Sequence, residues 1–217
     1  MYPFTILIGG PTASKKTDLA FEIQSKTPSF IVNSDSMQVY DKLKVLTNVP
    51  EKKYLEKHCC RLFKFISYPN KCNVGFWLNN VKKILSKEKN KIPIFVGGTG
   101  LYLDSLFGNI SPIPQISEKV RIKIENLHKK FGNIYFYNKL RKIDKKYSKT
   151  ISPNDSQRLI RAICIKVATG KNISYWHEEQ SQRIFDKILY VAINNERKKL
   201  YDDINKRCLK ILKSSAI

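Results

Sequence analysis

The stretch LIGGPTASKKTDLA, Leu7–Ala20, decides the fold. An apolar run from Phe4 to Ile8 ends in Gly9-Gly10, and Leu19, Ala20 and Ile23 then recur at helical spacing, so the order is buried strand, glycine-rich turn, helix. That is the context of a phosphate-binding loop, G-x-x-x-x-G-K-[ST], where backbone N–H groups and the positive end of a helix dipole converge on an anion. Gly10, Lys16 and Thr17 hold their places, but Lys15 stands where the pattern has its second glycine. The loop would wrap a diphosphate through Gly10, Pro11, Thr12, Ala13, Ser14 and Lys15, with a point charge from Lys16 and a hydroxyl from Thr17 for Mg²⁺. The alternative is a plain strand-to-helix turn capped by Thr12 or Ser14. Because glycine before the lysine permits an unusual backbone, Lys15 is expected to leave the loop recognisable but weakened.

Working outward, Phe30–Val32 reads as a second strand running into Asp35, and Ile94–Val96 as a third, followed by Gly97-Gly98 and a helix beginning near Thr99. Residues 72–91 are amphipathic, with Val74, Trp77, Leu78, Val81 and Leu85 on one stripe. A last strand lies in DKILYVAINN, residues 186–195, and a last helix over Glu196–Leu212 carries the stripe Leu200, Ile204, Cys208 and Ile211. Strands alternating with helices, with Gly-rich turns after the strands, predict an α/β fold of the P-loop type: a parallel sheet flanked by helices. SPIPQIS, residues 111–117, is a proline-punctuated connection, and Glu118–Thr150 is basic and helical without strand signals. SPNDSQRLIRAICIKVATG, residues 152–170, opens another helix with Asn154 as N-cap, Gln157 in capping-box position and Gly170 as terminator, its core side formed by Ile160, Ile163 and Val167. The predicted division is therefore a core over 1–110, a helical insertion over 111–150, and a return to the core over 151–217.

The chain of 217 residues carries 40 Lys and Arg against 18 Asp and Glu, a formal charge of +22, which points to a polyanionic partner, nucleic acid above all. The inference is discounted because Lys far outnumbers Arg and Asn and Ile are abundant, a composition that an AT-rich genome gives any protein. Cys59, Cys60, Cys72, Cys164 and Cys208 form no C-x-x-C pair and no zinc-ligand spacing, so a reducing cytoplasm is expected. No segment approaches the length or apolarity of a membrane span or signal peptide.

Three segments fall at the C-terminal ends of predicted strands, where ligands bind in such sheets. They are Gly10–Thr17, Asp35–Gln38 and Gly97–Thr99. Asp35 could be a general base or only cap the turn Asp35-Ser36-Met37-Gln38, and Thr99 could face a ligand or only cap the next helix. Gln157, Arg158 and Arg161 share a helix, with a solvated polar face as the default reading. His58, His128 and His177 have no common spacing and are assigned nothing.

Taken together, GPTASKKT, DSMQVY with Thr47 and Pro50 after it, GGTGLY and SPNDSQRLIRA closely resemble the bacterial tRNA dimethylallyltransferases, in order and separation from Ile8 to about Cys208. Nucleotide kinases share the loop but not the DSMQ and GGTGLY segments. The resemblance implies transfer of a dimethylallyl group from dimethylallyl diphosphate to N6 of the adenine at position 37 of tRNA, beside the anticodon. It implies catalytic roles for Asp35 as general base, Thr99 at the reacting groups and Arg207 at the diphosphate. It also implies tRNA contacts from Asp35, Ser36, Met37, Gln38, Thr99, Arg121, Gln157, Arg158, Leu159, Ile160 and Arg161, with Mg²⁺ near Thr17. The implied partners are the tRNA anticodon stem-loop and dimethylallyl diphosphate, with no membrane, for a cytoplasmic monomer. Two departures are Lys15 and Asp203, the latter where the family commonly has a basic residue. Family members continue past LKSSAI, so the chain is expected to be shortened at its C-terminus. A catalytically impaired tRNA-binding homologue and a P-loop small-molecule kinase are the competing readings.

Overall fold

The computed structural model describes residues 2–43, 45–179 and 182–213. Residues 214–217, part of the segment on which the shortened C-terminus was read, lie outside them. The chain divides into two compact units, Met1–Phe107 with Arg183–Ile217, and Gly108–Gln182.

The first unit is built on a five-stranded sheet of β1 (Tyr2–Gly9), β2 (Ser29–Asn33), β3 (Cys60–Arg61), β4 (Ile92–Val96) and β5 (Phe185–Ala192) in the order β3-β2-β4-β1-β5. Every pairing is parallel, with Ile8 beside Val96 and Asn33 also beside Val96. A parallel sheet needs cover on both faces, and the apolar runs read from the sequence supply it because successive side chains point to opposite sides. Leu7, Phe30, Val32 and Phe95 pack with Trp77, Val81 and Leu85 of α3 (Val74–Lys87) and Leu106 of α4 (Gly100–Leu106). Ile6, Ile8, Ile31 and Ile94 form the opposite layer with Ala20 of α1 (Lys16–Lys26). The stripe predicted for α3 is thus the buried one, and Asn73 caps it by accepting the Phe76 amide at 2.9 Å.

Elements with no periodic signal escaped the sequence reading: α2 (Lys52–Lys57) and the two-residue β3. In α9 (Arg197–Leu212) none of the described residues is buried, so its predicted stripe is not a core face: Cys208 is exposed and Leu200, Ile204 and Ile211 are partly covered.

The second unit is helical: α5 (Glu118–Ile143), α6 (Lys145–Ser148), α7 (Ser156–Thr169) and α8 (Ile173–Glu178). α5 is broken at Gly132, whose φ of 73° is outside helical space. α7 and α8 belong here, not to a return to the core at residue 151, because Leu159, Ala162, Ile163 and Ile173 pack with Ile124, Phe136 and Leu140 of α5. The apolar face is therefore offset from the predicted one, and Val167 is 50% exposed. The N-cap of α7 is Asp155, not Asn154: its Oδ1 accepts the Arg158 amide at 3.0 Å, and a carboxylate there also faces the positive end of the dipole. Gly170 ends the helix with a φ of 72°, as predicted. Among the described residues no helix is long and apolar enough to cross a membrane.

Asp144 ties this unit together. Its buried carboxylate accepts from the Tyr147 amide at 3.0 Å, the Ser174 amide at 2.9 Å and the Ser174 hydroxyl at 2.6 Å, joining α6 to α8. Burial alone would raise its pKa, but the Ser174 and Tyr147 hydrogen bonds, helped by His177, hold it below the usual carboxylate value. A carboxyl with a folded-state value below its unfolded one contributes stability that is present above the ordinary range and lost as pH falls through the folded value. Asp144→Asn is therefore expected to cost about 2 kcal/mol in urea unfolding at pH 7, the scale of hydrogen bonds to a charged group. The gap between wild type and variant should shrink to under about half of that near pH 3.

Candidate active site

The phosphate-type loop joins β1 to α1. Gly10 has a φ of 154°, and a Cβ there would lie 2.9 Å from the Ile193 carbonyl oxygen, so no side chain fits. Ala13 and Lys15 are both left-handed, with φ of 64° and 61°. A left-handed residue beside a right-handed one, as Lys15 is beside the helical Lys16, turns successive amides to one side, a backbone form that can cradle an anion. Lys15 stands at the N-cap of α1 with no side-chain cap bond, so the capping alternative for Thr12 or Ser14 fails. Ser14 is instead buried and accepts from Lys16 Nζ at 3.3 Å, and Lys16 Nζ also donates back to the Pro11 carbonyl. Thr17 sits partly covered in the first turn of α1.

Asp35 follows β2. Its Oδ1 accepts the Met37 amide at 2.8 Å and the Gln38 amide at 3.3 Å, so the capping reading is correct as far as it goes, and it occupies one carboxylate oxygen. Thr99 precedes α4 but makes no cap bond with its side chain. Its hydroxyl accepts the Ser36 amide at 3.0 Å and lies 3.2 Å from the Ser36 hydroxyl, so it joins the end of β4 to the Asp35 turn. Gly97 makes that juncture possible: a Cβ on it would lie 2.3 Å from the Ser34 carbonyl carbon and 2.7 Å from the Asp35 amide nitrogen.

Lys16, Asp35 and Arg207 share one electrostatic neighbourhood. Burial, most of all, holds the Lys16 ammonium below its ordinary pKa, Asp35 opposes that shift, and the Arg207 charge adds to it. Two cations near enough to act on one another would suit a negatively charged group between them. Arg207 donates to the Leu46 carbonyl at 3.1 Å and lines a cavity of about 470 Å³ with Val45, Asn48, Val49, Lys64 and Lys210. Gln38 holds one edge of that cavity's wall, donating to the Thr47 and Asn48 carbonyls at 2.9 and 3.4 Å. Met37 is 49% exposed.

The sheet unit thus gathers Gly10–Thr17, Asp35–Gln38, Thr99 and Arg207. The other predicted contacts belong to the helical unit. Arg121 pairs with Glu125 at 2.7 Å, Arg158 pairs with Asp155 at 2.7 Å, and Gln157 and Arg161 are exposed. Leu159 is fully buried and Ile160 packs against the same core, so neither offers a free side chain to RNA. Sequence reasoning missed Asn33, fully buried at the end of β2, because nothing in a pattern shows that a polar residue in an apolar run has turned its amide onto the next loop.

The IPP transferase profile matches residues 38–217. The chain belongs to the IPP transferase family. The tRNA dimethylallyltransferases of Pelagibacter ubique and Rickettsia felis are 42% and 38% identical to it over 98% of this chain, which covers 69% and 70% of their lengths. A eukaryotic dimethylallyltransferase in crystals acting on tRNA superposes with a TM-score of 0.86 at 26% identity, over 99% of this chain and 54% of that one. The tRNA delta(2)-isopentenylpyrophosphate transferase of Staphylococcus epidermidis gives a TM-score of 0.58 at 30% identity, over 97% of this chain and 69% of its own. This chain thus spans little more than half of the eukaryotic enzyme. As an IPP transferase-family chain, it keeps at Lys15 a conformation that glycine would take more easily.

A left-handed residue with a Cβ costs roughly 1–2 kcal/mol, against roughly 0.5–1 kcal/mol of backbone entropy that glycine loses on folding. The balance favours glycine. Because Lys15 is already left-handed here and its side chain is exposed, the strain weighs on the folded state as a whole. Lys15→Gly should therefore raise unfolding free energy by about 0.5–1 kcal/mol in denaturant titration. A loss of stability would show that the lysine is held by contacts that outweigh its backbone.

Proposed function

We propose that this chain transfers a dimethylallyl group from dimethylallyl diphosphate to N6 of adenine 37 in tRNA. The observation that carries the proposal is that the loop bearing Lys16, the turn bearing Asp35 and Thr99 follow the neighbouring parallel strands β1, β2 and β4, with Asp35 held in its turn by its own Oδ1. In the reaction the N6 nitrogen forms a bond to the allylic carbon, the carbon–oxygen bond to diphosphate breaks, and its electron pair leaves with the diphosphate. Loop amides, Lys16 and Arg207 stabilise the charge on the leaving oxygens. The Asp35 carboxylate accepts the proton that N6 gives up, while its Oδ1 remains tied to the turn. Thr99, bonded to Ser36, keeps that turn against the end of β4.

Mg²⁺ suits the loop. It takes few protein ligands and several phosphate oxygens, and Thr17, partly covered in the first turn of α1, would offer it a hydroxyl. Bound there with diphosphate, it would neutralise leaving-group charge. The exposed Gln157, Arg158 and Arg161, with Arg121, are proposed to hold the anticodon stem-loop, and the free thiols fit work in the cytoplasm.

Incubation with labelled dimethylallyl diphosphate and unmodified tRNA is expected to give label on the tRNA. Binding without transfer would favour a tRNA-binding homologue, and phosphoryl transfer from ATP a kinase. Asp35→Asn should keep tRNA affinity while slowing transfer by about a hundredfold, the usual scale for loss of a general base.

Arg161→Ala and Arg158→Ala should each lower the slope of log affinity against log salt by about 1 if their guanidinium groups meet phosphates. Arg158→Ala should also cost a little stability, because it removes the guanidinium paired with the Asp155 carboxylate while the capped Arg158 amide remains. Filter binding across a salt series measures the slope, and slopes equal to wild type would return both residues to a solvated face.

A further inference from the structure

We infer that Asn33 is a positioning residue for the base, holding Asp35 by both sides of its backbone. The inference rests on Asp35 serving as the base. Asn33 is the last residue of β2 and fully buried. Its Oδ1 accepts the Asp35 amide at 3.0 Å, and its Nδ2 donates to the Asp35 carbonyl at 3.1 Å. One side-chain amide thus fixes the N–H and the C=O of the same residue, leaving Asp35 little freedom about its own backbone.

The clamp is anchored in turn. Asn33 Nδ2 also donates to the Leu62 carbonyl at 3.0 Å, and the Asn33 carbonyl accepts the Trp77 indole N–H at 2.8 Å. Trp77 is fully buried and stacks on Tyr102 of α4 at 4.7 Å between ring centroids, so the clamp stands on the core. On the other side, Asp35 Oδ1 takes the Met37 and Gln38 amides. The two Asx turns run in series, the first orienting the residue whose side chain closes the second. A hydrocarbon at position 33 would fill the space but release Asp35. A general base must be held within hydrogen-bond reach of the proton it takes, so the expected effect falls on turnover more than on substrate affinity.

The test uses Asn33→Ser, which loses the reach of the amide, with Asn33→Asp as a second variant should the first not fold. Each is compared with Asp35→Asn and with the double variant, in kcat and KM for dimethylallyl diphosphate on unmodified tRNA. Asn33→Ser should lower kcat by about tenfold or more with KM within about threefold, and in the Asp35→Asn background it should lower kcat by less than about twofold, because both act through one group. Equal fold-losses in the two backgrounds would overturn the inference. Trp77→Phe, which removes the indole donor, is expected to lower the melting temperature while losing less kcat than Asn33→Ser.

Hydrogen exchange reads the same clamp without catalysis. In Asn33→Ser the Met37 and Gln38 amides should exchange about tenfold faster while β4 amides keep wild-type rates. Unchanged exchange at both would also overturn the inference. A wild-type protein that transfers no label would instead defeat the proposed function, and the exchange rates would still decide whether Asn33 holds the turn.

Discussion

Everything at the site depends on one close approach, the absence of a Cβ on Gly97. The backbone of Ser34 and Asp35 lies so near that any side chain there would overlap it, and the Ser34 amide donates to the Val96 carbonyl at 2.8 Å across the same gap. β2 and β4 are neighbours in the sheet, and this contact carries their pairing beyond the last strand residues into the loops. The Asp35 turn therefore rides on the sheet rather than on its own loop. Thr99, two residues on, fastens it with its hydroxyl. The Asp35 carboxylate is thus set by rigid elements, as the base proposed for the reaction would need.

The loop between β1 and α1 obeys a different constraint. An anion cradle would need amides aimed inward, and the left-handed backbone at Ala13 and Lys15 is of the kind that turns them so, without a glycine at position 15. The arrangement tolerates a side chain at Lys15 because that side chain stays in solvent. Strain and function are separable here: the conformation persists while its cost is carried by the stability of the whole unit. Lys16 shows the complementary balance. Its partial burial disfavours the ammonium and Asp35 favours it, so an incoming diphosphate would meet a cation with less solvent to shed than an exposed lysine.

The helical unit owes its coherence to a buried carboxylate. Asp144 joins α6 to α8 through backbone and hydroxyl donors, while the apolar faces of α5 and α7 make the core. With Leu159 buried and Ile160 partly so, the neighbouring Gln157, Arg158 and Arg161 stand exposed on α7. The charge that the composition shows as a bulk excess becomes, on this helix, a short polar face beside a packed one.

The parallel sheet is legible in the amino acids alone, because strands buried on both faces leave continuous apolar runs, as in Phe4–Ile8 and Ile94–Val96, that end in glycine-rich turns. The loop, Asp35 and Thr99 were legible as residues at strand ends, since glycine-rich turns mark where the apolar runs stop. Only the tertiary structure decided that Thr99 bonds Ser36 instead of capping α4, that Asp155 rather than Asn154 caps α7, and that α7 packs on α5. Each is a choice between partners of similar local propensity, so the sequence holds both options and packing selects one. Asn33 is the extreme case: an amide in an apolar strand reads as an interruption until the fold brings Asp35, Leu62 and Trp77 to its edges, because hydrogen-bond partners far apart in the chain leave no periodic trace in it.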